Sequence, residues 1–477
     1  MRRIAIVGGG VAGLSAAFAL EQERRSASAP IEYALFESSA RVGGVLVTEH
    51  VENCVVEGGP DSFISEKPWA ADLCREIGLE DQLIGSNDAE RKTYILVNGR
   101  LVAMPDGLMF MVPTKILSTV LSPLFGIGTK LRMASEWFHP PHKASGDETV
   151  AALVARHYGS EMVHRLADPL LAGVYGGEAG QLSVRAVLPR FAEMEAKHGS
   201  LGRAMLSARR HMRHASKMPA RPLFTSLRDG MQQMIEAISS RVTRSYLRTT
   251  QEVQAIQPIR DGWLLTARNQ SDHFDAVILA LPTQVAARLA QPFATDLATE
   301  LAAIQYSSSV TVTLGYDEKV RRLLPPGFGF LVPRSEGVRM LACTFVHNKF
   351  PHRAPENRAL IRCFLGGARD EQILSCSEKD IIELVRRELK QVVGVESEPL
   401  FTRVYKWRSA MAQYAVGHLD RLDRIDRACA QIPGLFLAGN GYRGIGVPDC
   451  VRSGKEAAAK ALSSLGLNAA TAVPDRS

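Results

Sequence analysis

Ile4-Ala5-Ile6-Val7-Gly8-Gly9-Gly10-Val11-Ala12-Gly13 decides the fold of this chain. The apolar run predicts a buried strand, and glycines at 8, 10 and 13 predict a tight turn into a helix. Gly8 permits the turn, Gly10 lets the backbone approach a pyrophosphate, and Gly13 lets the helix pack on the strand. A helix opening there offers free N–H groups and a positive dipole end to phosphates. The next strand, Glu32–Phe36, ends at Glu37. A carboxylate there accepts bonds from ribose hydroxyls and repels a 2′-phosphate. The polar loop Glu23–Pro30 accounts for the long interval between the two. Alone, the glycines would fit an ordinary strand-helix turn; with Glu37 they predict a Rossmann-like dinucleotide fold.

Arg41-Val42-Gly43-Gly44 follows Glu37 at once. This segment resembles the second fingerprint of the FAD-binding family that includes amine oxidases, phytoene desaturases and protoporphyrinogen oxidases. Far along the chain, Leu435–Gly439 reads as a strand, followed by Asn440, Gly444, Gly446, Val447, Pro448 and Asp449. Pro448 suits a first helical position and Asp449 complements the helix dipole. That helix N-terminus would face the flavin N1–C2=O edge. The resemblance implies FAD, held non-covalently by Gly8, Gly10, Gly13, Glu37, Arg41, Gly43, Gly44, Val253, Trp407, Asn440, Gly446 and Val447.

The chain has 477 residues, 46% hydrophobic and 22% charged, which predicts a folded protein of more than one domain. No apolar run reaches the roughly 18 residues that suggest a spanning helix. Seven scattered cysteines form no CxxC pair, which predicts reduced thiols in a cytoplasmic protein and no metal site. The basic stretch Lys197–Arg221 lacks interleaved aromatics, so nucleic acid is not an expected partner. Leu101–Trp137 holds short apolar runs broken by prolines and punctuated by Lys115, Lys130 and Arg132. It reads either as a packed helical subdomain or as a peripheral membrane surface.

The resemblance narrows further along the chain. Val56–Phe63, Asp168–Gly177, Gly327–Pro333, Gln413-Tyr414, Gly417-His418-Leu419 and Gly439–Cys450 resemble segments of bacterial porphyrinogen oxidases, in order over about residues 1–465. The resemblance implies a flat apolar pocket: Leu331 and Phe364 sandwich the macrocycle, the Gly173 carbonyl holds pyrrole N–H groups, and Thr344 and Phe345 form another wall. Where plant and animal members place a propionate-binding Arg, this chain has Thr93, flanked by Arg91 and Lys92; Lys67 is the substitute candidate.

The implied architecture is α/β: a Rossmann-like FAD-binding domain, a mixed-sheet substrate domain and a helical membrane-associating subdomain. Its expected segments are FAD-binding parts at 1–88, 222–282 and 405–465, a helical part at 89–221, a substrate part at 283–404 and a disordered tail at 466–477. The implied reaction is oxidation of protoporphyrinogen IX, ranked ahead of coproporphyrinogen III, in haem biosynthesis. Dioxygen would be the acceptor and hydrogen peroxide the by-product. Removing six hydrogens two at a time needs three flavin cycles. The resemblance also implies attachment to the inner face of the cell membrane and a possible homodimer. Two rivals stay open: an amine oxidase or carotenoid desaturase on the same fold, and a flavin protein that only carries a porphyrin.

Overall fold

The computed structural model describes all residues except 27–29, 110, 114–115, 143–145, 216–220 and 468–477. For 109, 113, 116–117 and 209–215 the backbone alone is described. The expected tail therefore lies almost wholly outside the described residues, as do Lys115 and the side chains of residues 209–220 in the basic stretch.

Arg2–Val7 is the central strand of a five-stranded parallel sheet. Its neighbours are Ile31–Phe36 and Ala276–Leu279, with Leu247–Arg248 and Leu435–Leu437 at the edges. Alternation divides the apolar run between two cores. Ile4 and Ile6 face the helices Val11–Arg25 and Val447–Ser464, while Ala5 and Val7 face the antiparallel meander Val253–Phe274. The C-terminal helix lies close on the first: a Cβ on Gly454 would fall 2.1 Å from the Ala12 carbonyl oxygen. Backbone from both ends of the chain thus builds one nucleotide fold.

A second, seven-stranded mixed sheet runs in the order Phe401–Ala412, Tyr306–Asp317, Arg358–Gly366, Ala342–Phe345, Gly329–Leu331, Thr93–Val97, Arg100–Ala103. One face is sealed by the amphipathic helix Glu378–Val393, which Ser377 caps through the Asp380 amide. Two strands come from the stretch expected to be helical. Their turn, Asn98-Gly99, has positive φ at both residues, the geometry that selects Asn-Gly in hairpins. The strand Phe401–Ala412 runs across the expected boundary at 404, since it pairs with Tyr306–Gly315 on both sides of that point, with a register shift between Trp407 and Met411.

Helices dominate residues 116–215, including Ile127–Glu136, Val150–Tyr158, Asp168–Tyr175 and Pro189–His198. No described helix is long and apolar enough to cross a membrane. A buried charge cluster joins Ile127–Glu136, Val150–Tyr158 and Pro189–His198. His157 lies 3.2 Å from Glu136 and 2.9 Å from Glu195, and Arg156 donates to Glu195 at 2.9 Å. Burial pushes the His157 pKa down, but the bonds to Glu136 and Glu195 outweigh it and raise it above 6.5. Burial raises Glu195, yet bonds from His157 and Arg156 leave it lowered to about 2.

The signs follow by linkage. The His157 contribution is complete below pH 6.5 and is lost as pH rises through the raised folded value. The Glu195 contribution is complete above pH 4.5 and is lost as pH falls toward about 2. Unfolding free energy is expected to fall on the alkaline side by up to about 1.4 kcal/mol per pH unit. His157→Gln should remove that slope in denaturant titrations above pH 6.5.

Candidate active site

The three fingerprint glycines serve different ends. Gly8 has φ +108°, and a Cβ there would lie 2.3 Å from the Ala280 carbonyl oxygen. A Cβ on Gly13 would lie 1.9 Å from the Gly8 carbonyl oxygen. Both glycines are demanded by the protein's own packing. A Cβ on Gly10 would meet nothing within 4 Å. Gly10 therefore leaves space that the chain does not fill. No side chain caps the helix at Gly10, and no acid occupies its first turn. Its leading amides are unclaimed by side chains, and no acid of its own first turn competes with an incoming phosphate.

Glu37 closes this loop from the second strand. Its Oε2 accepts the Gly9 amide at 2.8 Å and its Oε1 accepts the Ser39 amide at 2.8 Å. The Gln251 amide donates to the Glu37 carbonyl at 2.8 Å, which brings the start of the Val253 strand alongside. The second fingerprint is joined to the first: the Gly43 amide donates to the Gly9 carbonyl at 2.7 Å. A Cβ on Gly44 would lie 3.4 Å from the Gly10 Cα. The exposed Arg41 guanidinium donates to the carbonyls of Val42, Gly44 and Leu46, so the loop holds its cation at the surface.

Gly446 caps the C-terminal helix, so Val447 is its first residue and Pro448 its second, one position later than expected. The strand before it ends at Leu437. Asp449 is buried, and Lys67 Nζ donates to its two oxygens at 2.8 and 2.7 Å. The helix end thus carries a carboxylate whose charge is balanced. Asn440 Nδ2 donates to the Ala410 carbonyl at 2.8 Å, tying this loop to the substrate sheet.

Between the two sheets runs the Gly58-Gly59 backbone. Trp407 Nε1 and Thr311 Oγ1 both donate to the Gly58 carbonyl at 2.8 Å, and Arg362 donates to the Gly59 carbonyl. A Cβ on Gly59 would lie 1.8 Å from the Val45 carbonyl oxygen. Trp407 stacks on Tyr405 at an interplanar angle of 5°. Sequence reasoning missed Thr311, Arg362 and Tyr405, because nothing local marks a residue that reaches across a domain joint.

Strand register decides which wall residues meet. Leu331 pairs with Ala342, Ala342 with Phe364, and Thr344 with Arg362. Leu331, Thr344, Phe364 and Arg362 therefore share one face of the sheet. The Arg362 guanidinium carbon lies 4.9 Å from the Phe364 ring centroid. Gly173, on the helix Asp168–Tyr175, opposes that face: a Cβ there would lie 3.8 Å from Leu331 Cδ2. Gly173 sits in the last helical turn, where carbonyls lose their intrahelical partners. Phe345 points the other way, wholly buried with its ring 6.2 Å from Phe330. The structure does not bring Phe345 to this wall, because neighbouring strand residues face opposite sides.

The residues fit FAD. Gly10 and the bare helix end suit a pyrophosphate, and Glu37 with the start of the Val253 strand suits a nucleoside. FAD, when bound, supplies two-electron redox chemistry, while the chain supplies orientation and electrostatics. Burial pushes the Cys450 thiol, beside the C-terminal helix start, up to about 12, so it is held protonated.

A dinucleotide fold closed by its own C-terminal helix, beside a mixed sheet with an open face, defines an FAD-dependent oxidoreductase. Residues 11–462 match the family of flavin-containing amine oxidoreductases, and the chain belongs to that family. It is similar to "Coproporphyrinogen III oxidase" of Bacillus subtilis, 34% identical over 97% of this chain and 98% of the relative. It is also similar to "Protoporphyrinogen oxidase 1, chloroplastic" of Arabidopsis thaliana, 29% identical over 95% of this chain and 86% of the relative. A solved structure from Exiguobacterium sp. 255-15, provisionally named a protoporphyrinogen oxidase, matches with TM-score 0.86 and 29% identity. It covers 98% of this chain and 99% of that one.

Proposed function

We propose that this chain oxidises a porphyrinogen to a porphyrin, with FAD as electron carrier and dioxygen as acceptor. The observation that carries this reading is the open sheet face of Leu331, Thr344 and Phe364, opposed by Gly173. An aliphatic and an aromatic side chain suit the faces of a flat macrocycle, and carbonyls of a helix's last turn suit pyrrole N–H donors. The names of the relatives support the same chemistry.

Protoporphyrinogen IX is ranked first, because an aliphatic and an aromatic wall suit a two-propionate macrocycle better than a four-propionate one, and three basic side chains are already paired. Lys67 is held by Asp449, Lys349 by Asp61, and Arg369 by Asp168 and Glu178. Coproporphyrinogen III is the second reading, favoured by the name of the 34%-identical relative. The test is porphyrin fluorescence with oxygen uptake on both substrates side by side. Much faster oxidation of coproporphyrinogen III reverses the ranking, and oxidation of neither rejects the proposal.

We retain Lys67, whose side chain is 43% exposed, as the candidate propionate anchor; a propionate there shares the ammonium with Asp449. Lys67→Met is expected to raise KM more than it lowers kcat, since a contact remote from the reacting carbon is uniform binding. It should also weaken FAD retention by leaving Asp449 buried without its partner. Arg91→Met and Lys92→Met are the comparison. If only these two raise KM, the anchor lies on their segment.

Peripheral membrane attachment belongs to the same proposal. Leu121 is 74% exposed, Ile127 78%, Leu131 66% and Phe138 84%. Such side chains crowded into one short segment exceed the scattered exposure of an ordinary surface. Leu121→Asp, Ile127→Asp and Phe138→Asp together are expected to cut co-sedimentation with anionic vesicles by at least about tenfold. An unchanged bound fraction would assign the patch another role.

A further inference from the structure

We infer that Gln413 and Tyr414 are positioning residues that set the distance between the Gly173 helix and the flavin-facing loop 440–446. This rests on the proposed reading for the substrate side only.

The two residues follow the strand Phe401–Ala412 and reach in different directions. Gln413 Nε2 donates to the carbonyl of Tyr175, the last residue of the Gly173 helix, at 2.7 Å, and to Ser307 Oγ at 3.0 Å. A Cβ on Gly177 would lie 2.2 Å from Gln413 Oε1, so the helix is followed by a glycine that lets this amide in. Tyr414 is buried, and its hydroxyl donates to the Asn440 carbonyl at 2.7 Å while accepting the Gly444 amide at 2.8 Å. One oxygen therefore closes the loop that leads to Gly446 and Val447. The Tyr414 ring is held by stacking on His418 at 4.1 Å, and His418 bonds the Tyr442 carbonyl at 2.8 Å. The Tyr414 amide-plane neighbours are fixed as well: its carbonyl accepts the Ser183 amide at 2.8 Å.

Side chains of adjacent residues thus grip two elements that must face each other, one carrying substrate acceptors and one carrying the flavin-facing helix end. Hydride transfer is sensitive to the separation of its reacting atoms, so loosening either grip costs rate at saturating substrate rather than affinity. Tyr414→Phe keeps the ring and removes only the bridging oxygen. Gln413→Asn keeps the amide but draws it back from Tyr175.

The test uses the full-length, FAD-loaded chain in two arms. In the first, hydrogen exchange is followed over 440–446 and 173–177, with and without FAD. Tyr414→Phe should speed exchange in 440–446, and Gln413→Asn in 173–177, with melting temperatures near wild type. In the second, anaerobic flavin bleaching is compared for saturating porphyrinogen and for dithionite. Each variant should slow porphyrinogen-driven bleaching about tenfold with KM little changed and dithionite reduction unaffected. The double variant should lose less than the product of the single losses, because both act on one spacing. Unchanged exchange in both variants overturns the inference, as does a rate loss that only tracks lost FAD or unfolded protein. If wild type is not bleached by any porphyrinogen, the proposed function fails, and the exchange arm still decides the positioning role.

Discussion

Gly10→Val is expected to yield a folded protein that purifies without yellow colour. A Cβ added at Gly10 meets no atom of the chain within 4 Å, and Gly10 already has extended backbone angles, φ −72° and ψ −176°, that valine adopts freely. Its volume instead enters the space in front of the first helix, where a pyrophosphate would approach the amides. Loss of that approach should weaken FAD by at least about 100-fold, on the order of 3 kcal/mol. Released FAD fluorescence after denaturation measures the loading, and circular dichroism measures the fold. Gly13→Val is the contrast. Its side chain collides with the Gly8 carbonyl, so fold and cofactor should be lost together. Yellow protein from Gly10→Val would move the pyrophosphate site elsewhere.

Arg353→Met is expected to be among the most destabilising single changes in the chain. Arg353 donates to Glu57 at 2.5 Å, to Ser226 Oγ at 2.7 Å and to the Leu227 carbonyl at 3.0 Å. Both members of the ion pair are buried. Glu57 in turn accepts the Met231 amide at 2.8 Å and the Thr48 hydroxyl at 2.7 Å. The arginine lies between two strands of the seven-stranded sheet, and its partners lie on Cys54–Glu57 and Phe224–Leu227. Removing it strands a carboxylate without its counter-charge, which costs about 3–5 kcal/mol. Glu57→Gln with Arg353→Met should recover part of that loss, since the stranded charge is then gone. Chemical denaturation of the four proteins of this cycle checks both statements. A loss under about 1 kcal/mol in Arg353→Met would show that the carboxylate finds water or another partner.

The nucleotide fold was legible because its demands are local and chemically narrow. Gly8 and Gly13 admit no side chain, Glu37 ends a strand that alternation marks, and all three lie within one short stretch. The second sheet was legible in outline only. Asn98-Gly99 is a strong hairpin signal, yet its prolines and apolar neighbours suggested helices. Thr344 and Phe345 were both read as wall residues, although strand parity permits only one of two neighbours on a face. That parity assigns Thr344 to the open face and Phe345 to the core. The contacts of Lys67 with Asp449 and of Glu57 with Arg353 span 382 and 296 residues. No periodicity encodes such pairs; they appear only once distant segments of the chain are packed together.

The stitched nucleotide fold has a consequence for how the protein is made. Arg2–Val7 emerges from the ribosome long before the strand Leu435–Leu437 and the helix Val447–Ser464. Until then the strand Ala276–Leu279 has an open edge, and the Gly454 surface that covers Ala12 is missing. A nascent chain hundreds of residues long must therefore hold an incomplete sheet with an apolar face bare, the condition under which chaperones are recruited and edge strands aggregate. A premature stop near residue 430 would leave the substrate sheet whole yet remove the element that seals the nucleotide fold. Such a truncated chain should accumulate in inclusion bodies. Coenzyme capture is thereby deferred until the helix Val447–Ser464 has been made, which makes that helix a checkpoint for loading.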